Sequence, residues 1–206
     1  MLAILDYGMA NLRSVQKAFE GLGHAARIIT TPEEIQRTDH LVVPGVGAFR
    51  DAADVLFKTG AADAIREHVH AGRPLLGICL GLQLLFDVGH EDGTHAGLAI
   101  LPGECVRFAV DAPPHQLKVP HMGWNSLAWT RDVPLFRGLQ QGAYVYFVHS
   151  YHVVPKDLAI VAATAHYGEP FVAAVWKDNV TAVQFHPEKS QEVGATILKN
   201  FAEWRP

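Results

Sequence analysis

Two short stretches carry the residue types and spacing that chemistry would need: Gly77-Ile78-Cys79-Leu80-Gly81 and His186-Pro187-Glu188. The first is entered from the apolar run Pro74-Leu75-Leu76, which reads as a short buried strand. It is left through Leu82 to Phe86, and Leu80 to Val88 reads as the start of a helix. A cysteine at such a junction sits on a sharp turn, and glycine two positions either side is the spacing of a nucleophile elbow, where side chains would collide. The helix N-terminus that follows favours a thiolate over a thiol. The competing reading is a buried structural cysteine.

A nucleophilic cysteine needs a base and a group that orients the base. Of the twelve histidines, His68 and His70 are expected on a solvated helix and His90, His95 and His115 in polar loops. His186 differs, because it directly follows the apolar strand Val180 to Phe185. Pro187 restrains the residue before it to extended geometry. Residues i and i+2 of an extended segment share a side, so Glu188 can hold the imidazole. The competing reading is a strand-end histidine beside a surface glutamate.

The elements that must position these groups alternate in the first half of the 206-residue chain. Strands are expected at Leu2 to Leu5, Ala25 to Ile29, Leu41 to Val43 and Pro74 to Ile78. Between them lie helices from Asn11 (its N-cap) to Leu22, Phe49 to Phe57 and Ala61 to His70. Such alternation predicts a mostly parallel sheet flanked by helices, with ligands beyond the carboxyl ends of its strands. Pro44-Gly45-Val46-Gly47 and Cys79 both fall at such ends. The second half reads as short strands at Leu98 to Leu101, Cys105 to Ala109, Ala143 to Val148, Ile160 to Tyr167, Val172 to Trp176 and Val180 to Gln184, then a helix from Glu192 to Trp204. These predict an additional antiparallel layer on an α/β fold of one domain.

Composition bounds the function. A formal net charge of -4 gives no basic footprint for nucleic acid. Two cysteines, Cys79 and Cys105, make no disulfide framework and suit a reducing compartment. The N-terminal residues lack a signal peptide's charged region and cleavage site, and no run reaches the ~18 apolar residues of a membrane span. A soluble, cytoplasmic protein is expected. The scattered histidines offer no metal-ligand spacing, so neither metal nor cofactor is expected.

Together, Gly77-Ile78-Cys79-Leu80-Gly81-Leu82-Gln83 and His186-Pro187-Glu188 resemble the signatures of class I glutamine amidotransferases, and Pro44-Gly45-Val46-Gly47 resembles that family's loop after the third strand. The resemblance implies a triad of Cys79, His186 and Glu188 that hydrolyses L-glutamine to glutamate and ammonia through a thioester. It implies an oxyanion hole from the backbone N–H of Leu80 and a second donor in Gly45-Val46-Gly47, at Val46 or Gly47. Gln83, about one helical turn past Cys79, and the backbone at Ser150 and Tyr151 are the implied substrate contacts. Glu91 could pair with the substrate ammonium, although a loop glutamate is usually just solvated.

Within Lys118-Val119-Pro120-His121-Met122-Gly123-Trp124-Asn125, the Pro-His-Met-Gly-Trp-Asn segment has no regular period. It resembles a signature of the branch of the family that passes ammonia to a separate (β/α)8-barrel cyclase in histidine biosynthesis. That resemblance implies a heterodimer docked through Met122, Trp124, Asn125 and Lys189. A loop folded onto its own core is the competing reading of these residues. A glutaminase serving anthranilate or pyridoxal phosphate synthesis, or a redox-sensing or chaperone-like protein with an elbow cysteine, are the competing functions.

Overall fold

Four apolar runs form the parallel heart of the molecule: β1 (Leu2–Leu5), β2 (Ala26–Ile29), β3 (His40–Gly45) and β4 (Leu75–Cys79). Every residue of β1, β3 and β4 is buried, the signature of strands covered on both faces. Side-chain alternation divides them between two cores. Ala3, Leu5, Leu41, Val43 and Leu75 face one, whereas Leu2, Ile4, Val42, Leu76 and Ile78 face the other. The computed structural model describes all 206 residues.

Helices α1 (Leu12–Gly21), α2 (Pro32–Gln36), α3 (Phe49–Lys58) and α4 (Ala61–His70) connect these strands, and α5 (Leu80–Leu84) follows the elbow. Phe19 of α1 packs on one face, and Leu56 of α3 and Ile65 of α4 on the other. Thr31 and Glu34 cap α2 reciprocally in a capping box. No helix is long and apolar enough to cross a membrane.

The chain continues through β5 (Phe86–Gly89), β6 (His95–Ala96), β7 (Leu101–Arg107), β8 (His121–Ser126), β9 (Tyr144–His149), β10 (Tyr151–Pro155), β11 (Val161–Tyr167), β12 (Glu169–Lys177), β13 (Val180–Val183) and α6 (Gln191–Glu203). The central sheet has seven strands in the order β11-β12-β13-β4-β3-β1-β2, parallel from β13 to β2 and antiparallel at its other edge. The antiparallel character expected of the second half is therefore divided. β11 and β12 extend the central sheet, while β10-β7-β5-β6 and the pair β8-β9 form two smaller sheets.

Several boundaries differ from the sequence reading. The helix expected over Leu80 to Val88 ends at Leu84, and Phe86–Gly89 is a strand instead. Of the strand expected over Leu98 to Leu101, only Leu101 is in a strand, as the first residue of β7. The amides of Leu98, Ile100 and Leu101 instead satisfy the carbonyls of Leu84 and Leu85 at the end of α5, and Ala99 turns the chain with φ of 50°. His68 is not solvated: it is fully buried, with Nε2 3.0 Å from the Pro74 carbonyl. The aperiodic stretch around Met122 contains β8, paired antiparallel with β9 from His121↔His149 to Ser126↔Tyr144.

Candidate active site

Sheet register assembles the site. Gly45, ending β3, lies opposite Cys79, ending β4, and Val183, ending β13, lies opposite Ile78. The three chains therefore emerge together at the carboxyl edge, where ligands of doubly wound sheets collect. A cavity of about 300 Å³ opens there, lined by Val46, Gly47, Cys79, Leu80, Gln83, Glu91, Ser150, Tyr151 and His186 among others. A larger one, about 650 Å³, lies among Leu2, His40 and Pro74 at the opposite, amino edge and holds no nucleophile.

Cys79 has φ of 54° and ψ of -107°, a strained conformation for a side chain with a Cβ. The packing leaves it no relaxed choice. A Cβ on Gly81 would stand 1.8 Å from the Val43 carbonyl oxygen, so the turn closes this tightly only with glycine. The cysteine is 6 % exposed, at the mouth of the cavity. Cys105 lies on β7, 1 % exposed, where burial pushes its thiol well above the ordinary range and leaves it inert.

His186 follows β13 with extended backbone, and its N–H donates to the Tyr146 carbonyl at 2.9 Å. The pairing with Glu188 forms, but through a different local geometry. Pro187–Lys189 is a 3₁₀ turn rather than an extended segment, and it folds the carboxylate back beneath the ring. His186 Nδ1 lies 2.8 Å from Glu188 Oε1, both side chains being 3 % exposed. Burial is the largest influence on His186 and opposes its charge. The neighbouring Cys79, and Glu188 through its hydrogen bond and charge, together outweigh it and raise the imidazole to about 10. His186 Nε2 is buried without a hydrogen-bond partner.

The loop beside Cys79 is held from behind. Tyr7 is a buried phenol, pushed above its usual range by burial and then by the charge of Cys79, and it donates to the Pro44 carbonyl at 2.7 Å. A Cβ on Gly45 would lie 2.3 Å from the Tyr7 hydroxyl oxygen. The Val46 N–H does not point into the cavity, because it donates to the Met9 carbonyl at 2.7 Å. Of the two amides considered for the second oxyanion donor, Val46 is thus engaged elsewhere. Gly47 next to it has φ of 100°.

The remaining expected contacts are brought to the cavity in unequal states. Gln83 Nε2 donates to the Tyr151 carbonyl and to Gln184 Oε1, each at 3.2 Å. The Ser150 carbonyl is taken by the Phe108 N–H at 3.0 Å. Glu91 is more than a solvated loop residue. Its Oε2 accepts the Phe49 N–H at 2.6 Å, tying it to the first residue of α3.

The docking candidates separate by strand alternation. Met122 and Trp124, 62 % and 46 % exposed, face outward together, and Trp124 meets the Tyr146 ring edge-on with centroids 6.1 Å apart. Lys189 Nζ lies 5.9 Å from the centre of that same ring. Asn125 takes the other parity on β8 and turns inward, where Nδ2 donates to the His166 carbonyl at 2.9 Å.

Two features escaped the sequence reading. Gln184 is fully buried and donates from Nε2 to Cys79 Sγ at 3.6 Å. Its place two residues before His186 on an extended run was the available signal. Behind the cavity, His121 Nδ1 lies 3.0 Å from His149 Nε2, and His149 Nδ1 lies 2.8 Å from the Tyr151 carbonyl. Burial keeps both rings neutral, lowering His121 to about 4 and His149 to about 3. With Nδ1–H of each ring donating, the pair braces the backbone at Tyr151.

Comparison with known proteins agrees with this geometry. The sequence model of the family described as Glutamine amidotransferase class-I matches residues 3–204. The chain is 58 % identical over 205 residues to "Imidazole glycerol phosphate synthase subunit HisH" of Syntrophotalea carbinolica, covering 98 % of this chain and 100 % of that protein. It is 50 % identical over 206 residues to the protein of the same description from Geobacter sulfurreducens, covering 99 % of each. Among solved structures, PurLQS from Thermotoga maritima superposes with a TM-score of 0.76 at 17 % identity, covering 97 % of this chain and 96 % of that one. A further glutamine amidotransferase superposes at 0.71 and 20 % identity, covering 98 % and 99 %. At these identities the two structures share the fold.

Proposed function

The chain belongs to the class I glutamine amidotransferase family, and from that premise we propose that it is the glutaminase subunit of an imidazole glycerol phosphate synthase. It hydrolyses L-glutamine and passes ammonia to a separate cyclase subunit in histidine biosynthesis. The observation that carries the chemistry is the presence of Cys79 and His186 in the lining of one cavity, with the imidazole Nδ1 paired from behind to the buried carboxylate of Glu188. Identity of 58 % over nearly the full length to a protein described as subunit HisH supports the branch.

The mechanism is acyl transfer. Cys79 Sγ attacks the side-chain amide carbon of glutamine, and the carbonyl becomes an oxyanion. His186, held protonated by Glu188, gives a proton to the departing ammonia and leaves a thioester. Water, deprotonated by His186, then attacks the thioester and releases glutamate. Both oxyanions need donors placed in advance. The Leu80 N–H at the elbow is one. The second is drawn from Val46 or Gly47, and recruiting Val46 requires its amide to leave the Met9 carbonyl. We assign the substrate contacts to Gln83, Glu91, Ser150 and Tyr151.

The proposed partner is a (β/α)8-barrel cyclase, forming a heterodimer in the cytoplasm. Met122, Trp124 and the 60 % exposed Tyr144 lie exposed along the β8–β9 pair, with Lys189 near the Tyr146 ring that Trp124 meets. Exposed aromatics and Met are the residue types enriched in interface cores. Contact there would let ammonia enter the partner without being protonated in water.

The test is glutamate release from glutamine, measured with the chain alone and with a cyclase carrying its nucleotide ligand. Hydrolysis should be slow in isolation, rise with the liganded partner, and vanish in Cys79→Ala. Substantial activity in Cys79→Ala would remove the triad, and full activity without a partner would remove the role of the Val46 amide.

A further inference from the structure

Gln184 occupies a position that the acyl-transfer scheme does not use. It is fully buried between the nucleophile and Gln83. Its amide makes two directed contacts: Nε2 on Cys79 Sγ at 3.6 Å and Oε1 on Gln83 Nε2 at 3.2 Å. We propose that Gln184 is a positioning residue that donates an N–H to the Cys79 thiolate and, through its other end, fixes which polar atom Gln83 offers to substrate.

The orientation follows from donor and acceptor chemistry. A thiolate only accepts, so Gln184 must turn its NH₂ toward Sγ, and Oε1 must then face Gln83. That oxygen also only accepts, so Gln83 must answer with its own NH₂. The second N–H of Gln83 is spent on the Tyr151 carbonyl at 3.2 Å. The Tyr151 carbonyl is itself fixed by His149 Nδ1 at 2.8 Å. Both donors of Gln83 are consumed, and the group left for the cavity it lines is Oε1, an acceptor.

An acceptor there discriminates. It welcomes an N–H of substrate, whether of the carboxamide or of the ammonium, and repels the carboxylate oxygen that replaces the amide in the product. The Sγ contact thereby couples Cys79 to the amide orientation of Gln83, the two side chains being linked through Gln184. Removing the link has two consequences. The thiolate loses a donor, and Gln83 becomes free to flip and offer N–H to a carboxylate.

The inference rests on the glutaminase reading for its substrate half but not for its thiolate half, and the experiment separates them. Gln184→Met keeps the volume and removes both polar ends; Gln184→Glu keeps the shape and replaces the donor by a carboxylate. Alkylation of Cys79 by iodoacetamide is followed against pH by mass spectrometry. kcat/KM for glutamine and inhibition by glutamate are measured with the liganded cyclase bound.

In Gln184→Met the alkylation profile should move to higher pH and kcat/KM should fall roughly 10- to 150-fold, the value of a hydrogen bond to a charged group. Glutamate should inhibit about tenfold more strongly relative to the glutamine KM. Gln184→Glu should move the alkylation profile further. A folded Gln184→Met with the wild-type alkylation profile overturns the proposal even if its activity falls, since packing alone would then explain the loss. Failure of both variants to fold would likewise reduce Gln184 to a packing residue. If the wild-type complex does not hydrolyse glutamine, the glutaminase reading fails while the alkylation profiles still decide the thiolate contact.

Discussion

Removing the Glu188 carboxylate tests how the site divides labour between base and orienting group. The contact is short and dry: Nδ1 to Oε1 is 2.8 Å, and each side chain is 3 % exposed, so solvent screens little of it. A hydrogen bond to a charged group in such surroundings is worth about 1.5–3 kcal/mol. Glu188→Ala should therefore lower kcat/KM roughly 10- to 150-fold. His186→Ala should cost considerably more, because it removes the proton donor itself. Glu188→Gln retains an acceptor for Nδ1–H and should fall between wild type and Glu188→Ala. The pH profile carries an independent signature. Glu188 is one of the groups that raise His186, so its loss must lower the imidazole's affinity for protons. The protonated ring needed by departing ammonia is lost as pH rises through that value, and the alkaline limb of kcat/KM should move to lower pH in Glu188→Ala. Glutamate release from the liganded complex, measured from pH 6 to pH 10, gives both quantities. Equal loss in Glu188→Ala and His186→Ala, or an unmoved alkaline limb, would refute the reasoning.

Trp124→Ala should weaken binding of the cyclase by about 2 kcal/mol, roughly thirtyfold in Kd by titration calorimetry, and spare hydrolysis chemistry at Cys79. Wild-type affinity would remove Trp124 from the interface. Asn125→Ala should act on the fold instead, losing about 1 kcal/mol in urea denaturation with its inward bond to the His166 carbonyl. Acid should destabilise the chain early. His68, His121 and His149 are held near 4, 4 and 3 by burial, so the unfolded state binds more protons as pH falls below about 6.5. Each contributes a slope of about 1.4 kcal/mol per pH unit from there down to its native value. The raised His186 is already protonated in both states throughout this window, and the lowered Asp39 and Asp87 act only nearer their own range. A urea midpoint that stays flat from pH 7 to pH 5 would contradict this.

The parts of the fold that could be read from sequence are those where one local pattern has one structural solution. Continuous apolar runs such as Leu41–Val43 have no solvent face to offer, so a strand covered on both sides was the available reading, and β3 is that strand. Helix α4 was legible to its ends because Gly60 and Gly72 bound it and its apolar residues recur at helical spacing. At the elbow, helix and strand share an apolar composition, so the switch from α5 to β5 after Leu84 is invisible until Leu98, Ile100 and Leu101 are seen capping it. Burial of His68 depends on which side of α4 meets its neighbours, and no property of the histidine announces it.

The site divides in the same way. The proposed triad of Cys79, His186 and Glu188 was legible because the two motifs that carry it together resemble the signatures of one family, whereas His186 and Glu188 alone also read as a strand-end histidine beside a surface glutamate. Gln184 was not, because its role exists only across β13 and β4, where register lays a glutamine against a cysteine more than a hundred residues away. Strand β8 shows how the two levels combine. Reading Met122, Trp124 and Asn125 as one patch treated the segment as a loop, in which neighbouring residues can face the same way. Pairing with β9 imposes a period of two, which leaves Met122 and Trp124 outward and turns the buried His121 and the half-buried Asn125 to the other face. The same pairing that leaves Met122 and Trp124 exposed thus delivers His121 to His149, and His149 to the carbonyl that holds Gln83. Parity along one strand puts the proposed docking residues on one side and the supports of the proposed substrate wall on the other, which is why substitutions at Trp124 and Asn125 are expected to separate in assay.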